Sequence, residues 1–183
     1  MSLLRYRHAL VVLGVSLLAF SCDGSQEPPT HQELVDAQQK EESNKAIVNR
    51  YFFEFLDARG DMGLLNELFT EDCIVQRAEL PGAIQGLTAL RGFMEKTRAN
   101  MPELHTTVQT LVAEGDSVFV YIRHRAVFDG TFSTSFGTKE IHNLPVEWAA
   151  MSVFRLVDGK IAEQQVLRDE LGILMQQGFI QKP

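Results

Sequence analysis

The chain has 183 residues, of which 17 are basic and 24 acidic, and its net charge is −7. An acidic balance without basic clusters argues against nucleic acid as a partner and against electrostatic attachment to anionic lipid. Two cysteines are too few for a disulfide framework, while the length suits one domain with an ordinary hydrophobic core. Apolar packing must therefore stabilise the fold.

The first 21 residues have the pattern of a signal peptide. Arg5 and Arg7 precede an apolar run over residues 9–20, which is shorter than the roughly 20 residues needed to span a bilayer. The residues leading to Cys22 resemble the lipobox of bacterial lipoproteins, in which that cysteine is diacylated and becomes the new N-terminus. We therefore expect a lipoprotein signal peptide over residues 1–21 and a lipid on Cys22. An ordinary secretory signal followed by a chance cysteine is the alternative.

The segment after the cysteine bears on location and on the start of the folded domain. Asp23 resembles the signal that retains enterobacterial lipoproteins on the inner membrane. We therefore expect a lipid-anchored protein of the bacterial cell envelope, on the inner membrane facing the periplasm, with the outer membrane as the alternative. Residues 22–42 are polar, contain Pro28 and Pro29, and are too poor in apolar side chains to offset the entropy of ordering. They predict a flexible tether with a frayed helix at its end.

Hydrophobic periodicity predicts helices and strands throughout the rest of the chain. The predicted helices are residues 44–58, 62–69, 87–98 and 170–177, and the predicted strands are residues 73–76, 106–112, 118–128, 146–156 and 161–169. The last four strands are joined mostly by short turns, so they pair antiparallel, and helices must cover one face of the curved sheet. We expect an α+β domain over residues 43–180, a cone-shaped curved antiparallel sheet wrapped around N-terminal helices. Its open end should hold a cavity.

Several segments resemble the SnoaL-like polyketide cyclases, a family within the nuclear-transport-factor-like group of α+β cones. In the family's order these segments are residues 44–48, 51–52, 60–61, 101–105, 113–116, 153–155, 158–161, 169–172 and 176–178. The resemblance implies a cofactor-free acid–base site, without a metal, in a largely apolar pocket. The founding members close a ring there by intramolecular aldol condensation. A homodimer is a further expectation from the family.

Asp169 matches the position of the family's general base, near the start of the C-terminal helix. An aspartate in an apolar cleft gains the raised pKa that removal of a proton α to a carbonyl requires. The alternative is that Asp169 only caps the last helix, because Asp is a favoured N-cap residue. Counting back by two along the strand places Gln165 on the same face as Asp169. The family often has a tryptophan at the position of Gln165 and an acidic residue at that of Ser152.

Polar and aromatic residues on the apolar faces of other strands complete the predicted site. Alternation places His124 on one inner face, and Trp148 and Ser152 on the next. We expect His124 and Ser152 to donate to a substrate oxygen, Trp148 to form an aromatic wall, and Tyr51 to point its hydroxyl into the same space. Core packing is the alternative for Trp148 and Tyr51, and a strand slip that exposes His124 is the alternative for that residue. Residues 133–145 are predicted as a long loop that rims the cavity.

Two functions from different classes follow from this pattern. One is a cofactor-independent ester or polyketide cyclase or isomerase, which acts through Asp169 on a small hydrophobic carbonyl compound. The other is a non-catalytic module of the cell envelope that holds a small hydrophobic ligand or dimerises through the outer face of the sheet. The expected export favours the binding module, because the family's polyketide substrates are intracellular. The presence of Asp169 favours the enzyme. The sequence has no helical metal-binding spacing, no glycine-rich phosphate loop and no Gly-x-Ser-x-Gly motif.

Overall fold

The computed structural model describes residues 27–181, so the predicted signal peptide and the expected lipid site at Cys22 lie outside the described residues. The described chain forms an α+β fold of helices and one curved sheet. In chain order its elements are α1 (His31–Arg50), a π-helical segment (Tyr51–Leu56), a 3₁₀ turn (Met62–Leu64), α2 (Leu65–Leu68), β1 (Phe69–Arg77), β2 (Ile84–Gln85), α3 (Gly86–Asn100), β3 (His105–Glu114), β4 (Ser117–Thr134), β5 (Gly137–Val157), β6 (Lys160–Arg168) and α4 (Glu170–Gln176).

Helix α1 begins at His31, within the segment predicted to be a flexible tether. The helix predicted at the end of this segment is therefore longer and better ordered than expected, because a capping box stabilises its N-terminus. The side chain of Thr30 accepts from the backbone N–H of Glu33, and the Glu33 carboxylate accepts from the backbone N–H of Thr30 at 2.7 Å. Farther along, Lys40 pairs with Asp116 at 2.5 Å and so ties the helix to the β3–β4 turn. No helix within residues 27–181 is long and apolar enough to cross a membrane.

The helical chain changes from α to π geometry where it enters the core. Four residues of the π-helical segment are buried: Tyr51, Phe52, Phe55 and Leu56. Arg98 of α3 donates to the backbone carbonyl of Gly60 at 2.7 Å and also to that of Phe55. The bond to Phe55 satisfies a carbonyl that loses its helical partner where the segment ends, and the bond to Gly60 ties α3 to the turn that follows. The predicted helix over residues 44–58 is therefore confirmed, with π geometry in its last part.

The sheet has six strands in the order β2-β1-β6-β5-β4-β3. The strands β3 to β6 pair antiparallel with their neighbours in sequence, which confirms that part of the prediction. The strand β1 lies parallel to β6, with Val75 opposite Gln164 and Arg77 opposite Val166. This pairing brings the first strand of the domain against the last one, and it sets Arg77 beside the end of β6.

Residues 133–145 form most of a hairpin arm rather than the predicted long loop. The strands β4 and β5 continue outward as paired strands, with Thr131 opposite Glu140 and Ser133 opposite Thr138. The register shifts near Gly130, whose φ of 122° is strained for any residue with a side chain. The predicted loop is therefore wrong. Threonine and serine here pair across the strands, although the same residues are also common in loops.

The inner faces of β4 and β5 form the wall of the core, as the alternation of their residues predicts. These buried residues are Val118, Val120, Ile122, His124, Ala126 and Phe128 of β4, with Val146, Trp148, Ala150, Ser152 and Phe154 of β5. The π-helical segment and α3 pack against this wall. The cone predicted from the sequence is confirmed, with its interior between the sheet and these helices.

Candidate functional site

A cavity of about 70 Å³ lies between the inner face of the sheet, the π-helical segment and α3. Its apolar walls include Phe52, Leu90, Phe93, Met94 and Trp148. Its polar lining comes from Tyr51, Arg77, Thr97, His124, Ser152, Gln164 and Arg168. Few polar groups on apolar walls are typical of a ligand site, although pockets for drug-sized ligands are larger, at about 300–1,000 Å³. The volume fits a small molecule or part of a larger one.

Tyr51 presents a phenol hydroxyl in the buried interior. Its ring makes edge contacts with Phe52, Phe69 and Phe154, at centroid distances of 4.8, 5.7 and 5.5 Å, which fix its orientation. The Gln164 side-chain amide lies 3.5 Å from the phenol oxygen and donates to it weakly. Burial raises the pKa of Tyr51, so the hydroxyl keeps its proton. The phenol O–H is therefore available as a donor to a bound molecule.

His124 is a buried and uncharged histidine on the inner face of β4. Its Nδ1 lies 2.9 Å from the hydroxyl of Thr106 on the neighbouring strand, and its ring lies 5.0 Å from that of Trp148. Burial, and then the positive charges of Arg77 and Arg168, lower the pKa of His124 to about 3. The bond to Thr106 occupies one ring nitrogen and orients the ring, which leaves Nε2 for a ligand.

Two arginines at the side of the cavity share one carboxylate. Arg77 Nε donates to Glu79 Oε1 at 2.6 Å, and Arg168 Nε lies 3.3 Å from the same oxygen. Arg168 Nε also donates to Glu170 at 2.6 Å. Burial raises the pKa of Glu79, but the charges of Arg77 and Arg168 outweigh burial and hold that pKa below its usual value. Within residues 27–181, no three His, Cys, Asp or Glu side chains cluster as metal ligands.

Because His124 is buried and uncharged, we expect the free energy of unfolding to fall as the pH drops below the pKa of an ordinary imidazole. The pKa of His124 is about 3 in the folded protein, and it returns to about 6.5 on unfolding. Between these values only the unfolded chain binds the proton. The stabilisation is therefore fully present above about pH 6.5 and declines as the pH falls, by about 1.4 kcal/mol per pH unit.

Urea unfolding of the wild type and His124→Asn between about pH 5 and 6.5 measures this slope. Asparagine keeps a polar atom for Thr106 but does not titrate. The free energy of unfolding of the variant should therefore change less steeply with pH, by the amount that one bound proton contributes. Glu79 does not interfere in this range. Its folded pKa is lowered, so the stabilisation that its charge provides is lost only below the unfolded pKa of about 4.5. Equal slopes in the two proteins would contradict the buried, uncharged histidine.

Comparison with known families decides how this fold is classified. The sequence profile of the family described as SnoaL-like polyketide cyclase matches residues 46–177, well over half of the chain. The chain belongs to the SnoaL-like polyketide cyclase family. No curated protein matches it. The resemblance inferred from the sequence is therefore confirmed, and the matched range includes the π-helical segment, the sheet and α4 of this SnoaL-like domain.

Solved structures show the same fold at low sequence identity. A proposed SnoaL-like polyketide cyclase from Jannaschia sp. CCS1 is 23% identical, with a TM-score of 0.67 over 79% of this chain and 96% of that one. IdmH, a proposed polyketide cyclase from Streptomyces antibioticus, is 24% identical, with a TM-score of 0.61 over 74% and 98%. An LEH-like epoxide hydrolase from M. tuberculosis is 12% identical, with a TM-score of 0.59 over 74% and 85%. At these identities the likeness establishes the fold alone.

Asp169 lies outside the cavity of this SnoaL-like domain. Its carboxylate is exposed and accepts from the backbone N–H of Gly172 at 2.8 Å, as the N-cap of α4. The predicted inward orientation of Asp169 is therefore wrong, and its capping alternative describes the geometry. The backbone explains this: β6 ends at Arg168, and the chain turns into the helix at Asp169.

Gln165 lies on the outer face of β6, so its predicted position in the pocket is also wrong. On this strand the inward residues are Gln164 and Val166, while Leu167 is 66% exposed. The prediction took Asp169 as its reference for the inner face, and a shift of one residue reverses every side chain. Tyr51, His124, Trp148 and Ser152 do line the cavity together. The sequence reasoning missed Gln164, Arg77 and Arg168.

Helix capping at Asp169 can be separated from chemistry by two substitutions. We expect Asp169→Ala to lower the free energy of unfolding by about 1 kcal/mol, because the α4 N-terminus loses its side-chain cap. Asp169→Asn should be close to the wild type, since asparagine caps helices equally well. Urea unfolding measures both. A stable Asp169→Asn protein that had lost activity would instead restore the predicted role of Asp169 as a base.

Proposed function

We propose that the SnoaL-like domain performs cofactor-free acid–base chemistry on a small hydrophobic carbonyl compound, as a cyclase or isomerase, with His124 in place of Asp169 as the proton acceptor. The observation that carries this proposal is an uncharged histidine, held through Nδ1 by Thr106, in a cavity that is also lined by hydroxyl groups. The proposed donors are Tyr51 and Ser152. Such a set matches the removal of a proton α to a carbonyl.

The proposed steps use these side chains in turn. With the proton of the neutral ring on Nδ1, Nε2 of His124 accepts the α-proton, and the hydroxyls of Tyr51 and Ser152 donate to the oxygen that becomes the enolate. The phenol keeps its proton in the free protein because burial raises its pKa. His124 is a weak base in the free protein, but the enolate charge offsets the charges of Arg77 and Arg168 and stabilises the imidazolium. Return of the proton to another carbon gives isomerisation. Attack of the enolate carbon on a second carbonyl closes the ring, and the imidazolium then returns its proton to the new alkoxide.

A non-catalytic ligand-binding domain is the second candidate. It is favoured by one observation, which is that no Asp or Glu side chain among residues 27–181 lines the cavity. The carboxylate of Glu79 is engaged with two arginines. A domain without a strong base would still hold an apolar carbonyl compound through the same hydroxyl donors and apolar walls.

Isotope exchange separates the two candidates. Native mass spectrometry of protein purified from its own cells identifies co-purifying ligands. Proton NMR in D₂O then measures exchange at the α-carbons of methyl levulinate, a neutral carbonyl probe, and of any ligand found. We expect catalysed exchange that falls by about 10²–10⁴-fold in His124→Asn. Binding without catalysed exchange would reject the enzyme and support the binding domain.

We further propose that lipid on Cys22 anchors the domain to the inner membrane, on its periplasmic side. The signal-peptide pattern and Asp23 support this proposal. Labelled palmitate should enter the wild type but not Cys22→Ser, and membrane fractionation should release that variant. Labelling of Cys22→Ser equal to that of the wild type would reject the anchor.

A homodimer through the outer face of the sheet is the proposed assembly. The support is a cluster of exposed apolar residues on this face, Met151, Val153 and Leu167, because large exposed apolar patches commonly mark interaction sites. Sedimentation of the wild type and Leu167→Lys tests it. A monomeric wild type would reject the dimer.

A further inference from the structure

The cavity has a charge asymmetry that a neutral carbonyl compound would leave uncompensated when it binds, before any enolate forms. Two arginines, Arg77 and Arg168, line it, and in the part of the chain that the structure describes no Asp or Glu does. Both arginine side chains are mostly buried, with 17% and 18% of their surfaces exposed. Placing two cations in a poorly hydrated position is costly unless anions compensate them.

The compensation within the protein is incomplete on the cavity side. Glu79 is the one mostly buried carboxylate of the network, and it contacts both arginines through a single oxygen. Glu170, the second partner of Arg168, is about a third exposed, so water screens its charge. One buried negative charge therefore faces two mostly buried positive charges. The excess matches a ligand with one negative charge.

The guanidinium groups keep donors free for such a ligand. Arg77 and Arg168 each bind a carboxylate through Nε, and their Nη groups make no hydrogen bond to other described residues. Phe93, which also lines the cavity, lies 5.4 Å from the guanidinium of Arg77 and restrains it. Arginine Nη groups suit carboxylates because two parallel N–H donors match two oxygens.

The positive charges of both arginines act on His124, the proposed proton acceptor. After burial, their positive charges are the causes that lower the pKa of His124. An anion bound at the arginines would weaken this effect and make the histidine a better base. The same bound group would therefore fix the ligand in place and assist its deprotonation.

We infer that the ligand of this cavity is a small carbonyl compound that also carries a carboxylate, and that Arg77 and Arg168 bind this carboxylate while the carbonyl lies toward His124, Tyr51 and Ser152. The inference rests on the proposed function and narrows its substrate class from hydrophobic carbonyl compounds to oxo acids. Arg77 and Arg168 are then specificity-determining residues, and Glu79 is a positioning residue that holds them.

Levulinate and methyl levulinate form a matched pair of probes, because they share the ketone and differ in the charge of the acid group. Calorimetry at pH 7 should show levulinate binding to the wild type at least about 10-fold more tightly than the ester. Arg168→Met should abolish this preference. Arg168→Lys should retain part of it, since lysine keeps the positive charge but lacks the two parallel N–H donors of arginine. Arg155→Met is the control, because Arg155 pairs with Glu163 and does not line the cavity; its preference should equal that of the wild type.

The outcomes separate this inference from the proposed function. Equal affinity for the two probes, or a preference that survives in a folded Arg168→Met protein, would overturn the carboxylate subsite and leave the proposed carbonyl site standing. Tight binding of levulinate without catalysed exchange of its α-protons would support the subsite and reject the enzyme. Binding of neither probe would overturn both. Circular dichroism of each variant identifies any loss of binding that comes from unfolding.

Discussion

Replacing Phe154 with alanine is expected to lower the free energy of unfolding by about 3–5 kcal/mol. Phe154 has no exposed surface and lies on the inner face of β5. Its ring makes edge contacts with Tyr51 at 5.5 Å and with Phe52 at 5.8 Å, both in the π-helical segment. Truncation removes apolar burial and leaves a void that closely packed neighbours fill only in part. Urea unfolding monitored by circular dichroism measures the loss.

A matched substitution shows whether burial causes this effect. Phe136 lies near the tip of the hairpin arm, where 59% of its surface is exposed. Phe136→Ala removes the same atoms from the protein surface and should change the free energy of unfolding by no more than about 0.5 kcal/mol. A loss below about 1 kcal/mol for Phe154→Ala would contradict the close packing of the sheet against the π-helical segment.

Sequence reasoning succeeded where a strand is buried on one face only. In β4 and β5 the inward positions form long runs of period two, and the opposite positions carry the charged residues Arg123, Arg125 and Glu147, which mark the outer face. His124, Trp148 and Ser152 were found for this reason. The strand β6 has apolar residues on both faces, with Val166 inside and Leu167 outside, so its pattern does not identify the inner face.

Other features depend on contacts that local patterns do not contain. The arginine pair requires β1 to lie parallel to β6, and Arg77 and Arg168 are far apart in sequence. No turn or periodicity predicts that pairing. The start of α1 was missed for a different reason: Thr30 and Glu33 form a capping box that is visible in the sequence, but the polar composition around it suggested a tether. Here local capping outweighs composition.

Removal of the Glu79 charge is expected to have the second large effect on stability. Arg77 and Arg168 are mostly buried and share Glu79 Oε1, while Oε2 is buried without a partner among the described residues. Glu79→Gln would leave two neighbouring guanidinium groups without their common anion. Because breaking a buried ion pair on one side costs about 3–5 kcal/mol, we expect a loss toward the lower end of that range. Urea unfolding at pH 7 measures it.

The pH dependence and a control distinguish this loss from a general effect of the substitution. The pKa of Glu79 is held below its usual value, so its stabilisation is fully present above the unfolded value of about 4.5 and is lost as the pH falls further. The difference between wild type and Glu79→Gln should therefore shrink below about pH 4.5. Glu163→Gln, which removes the half-exposed partner of Arg155, should cost about 0–1 kcal/mol. A cost for Glu79→Gln as small as that control would mean that water, rather than Glu79, compensates the two arginines.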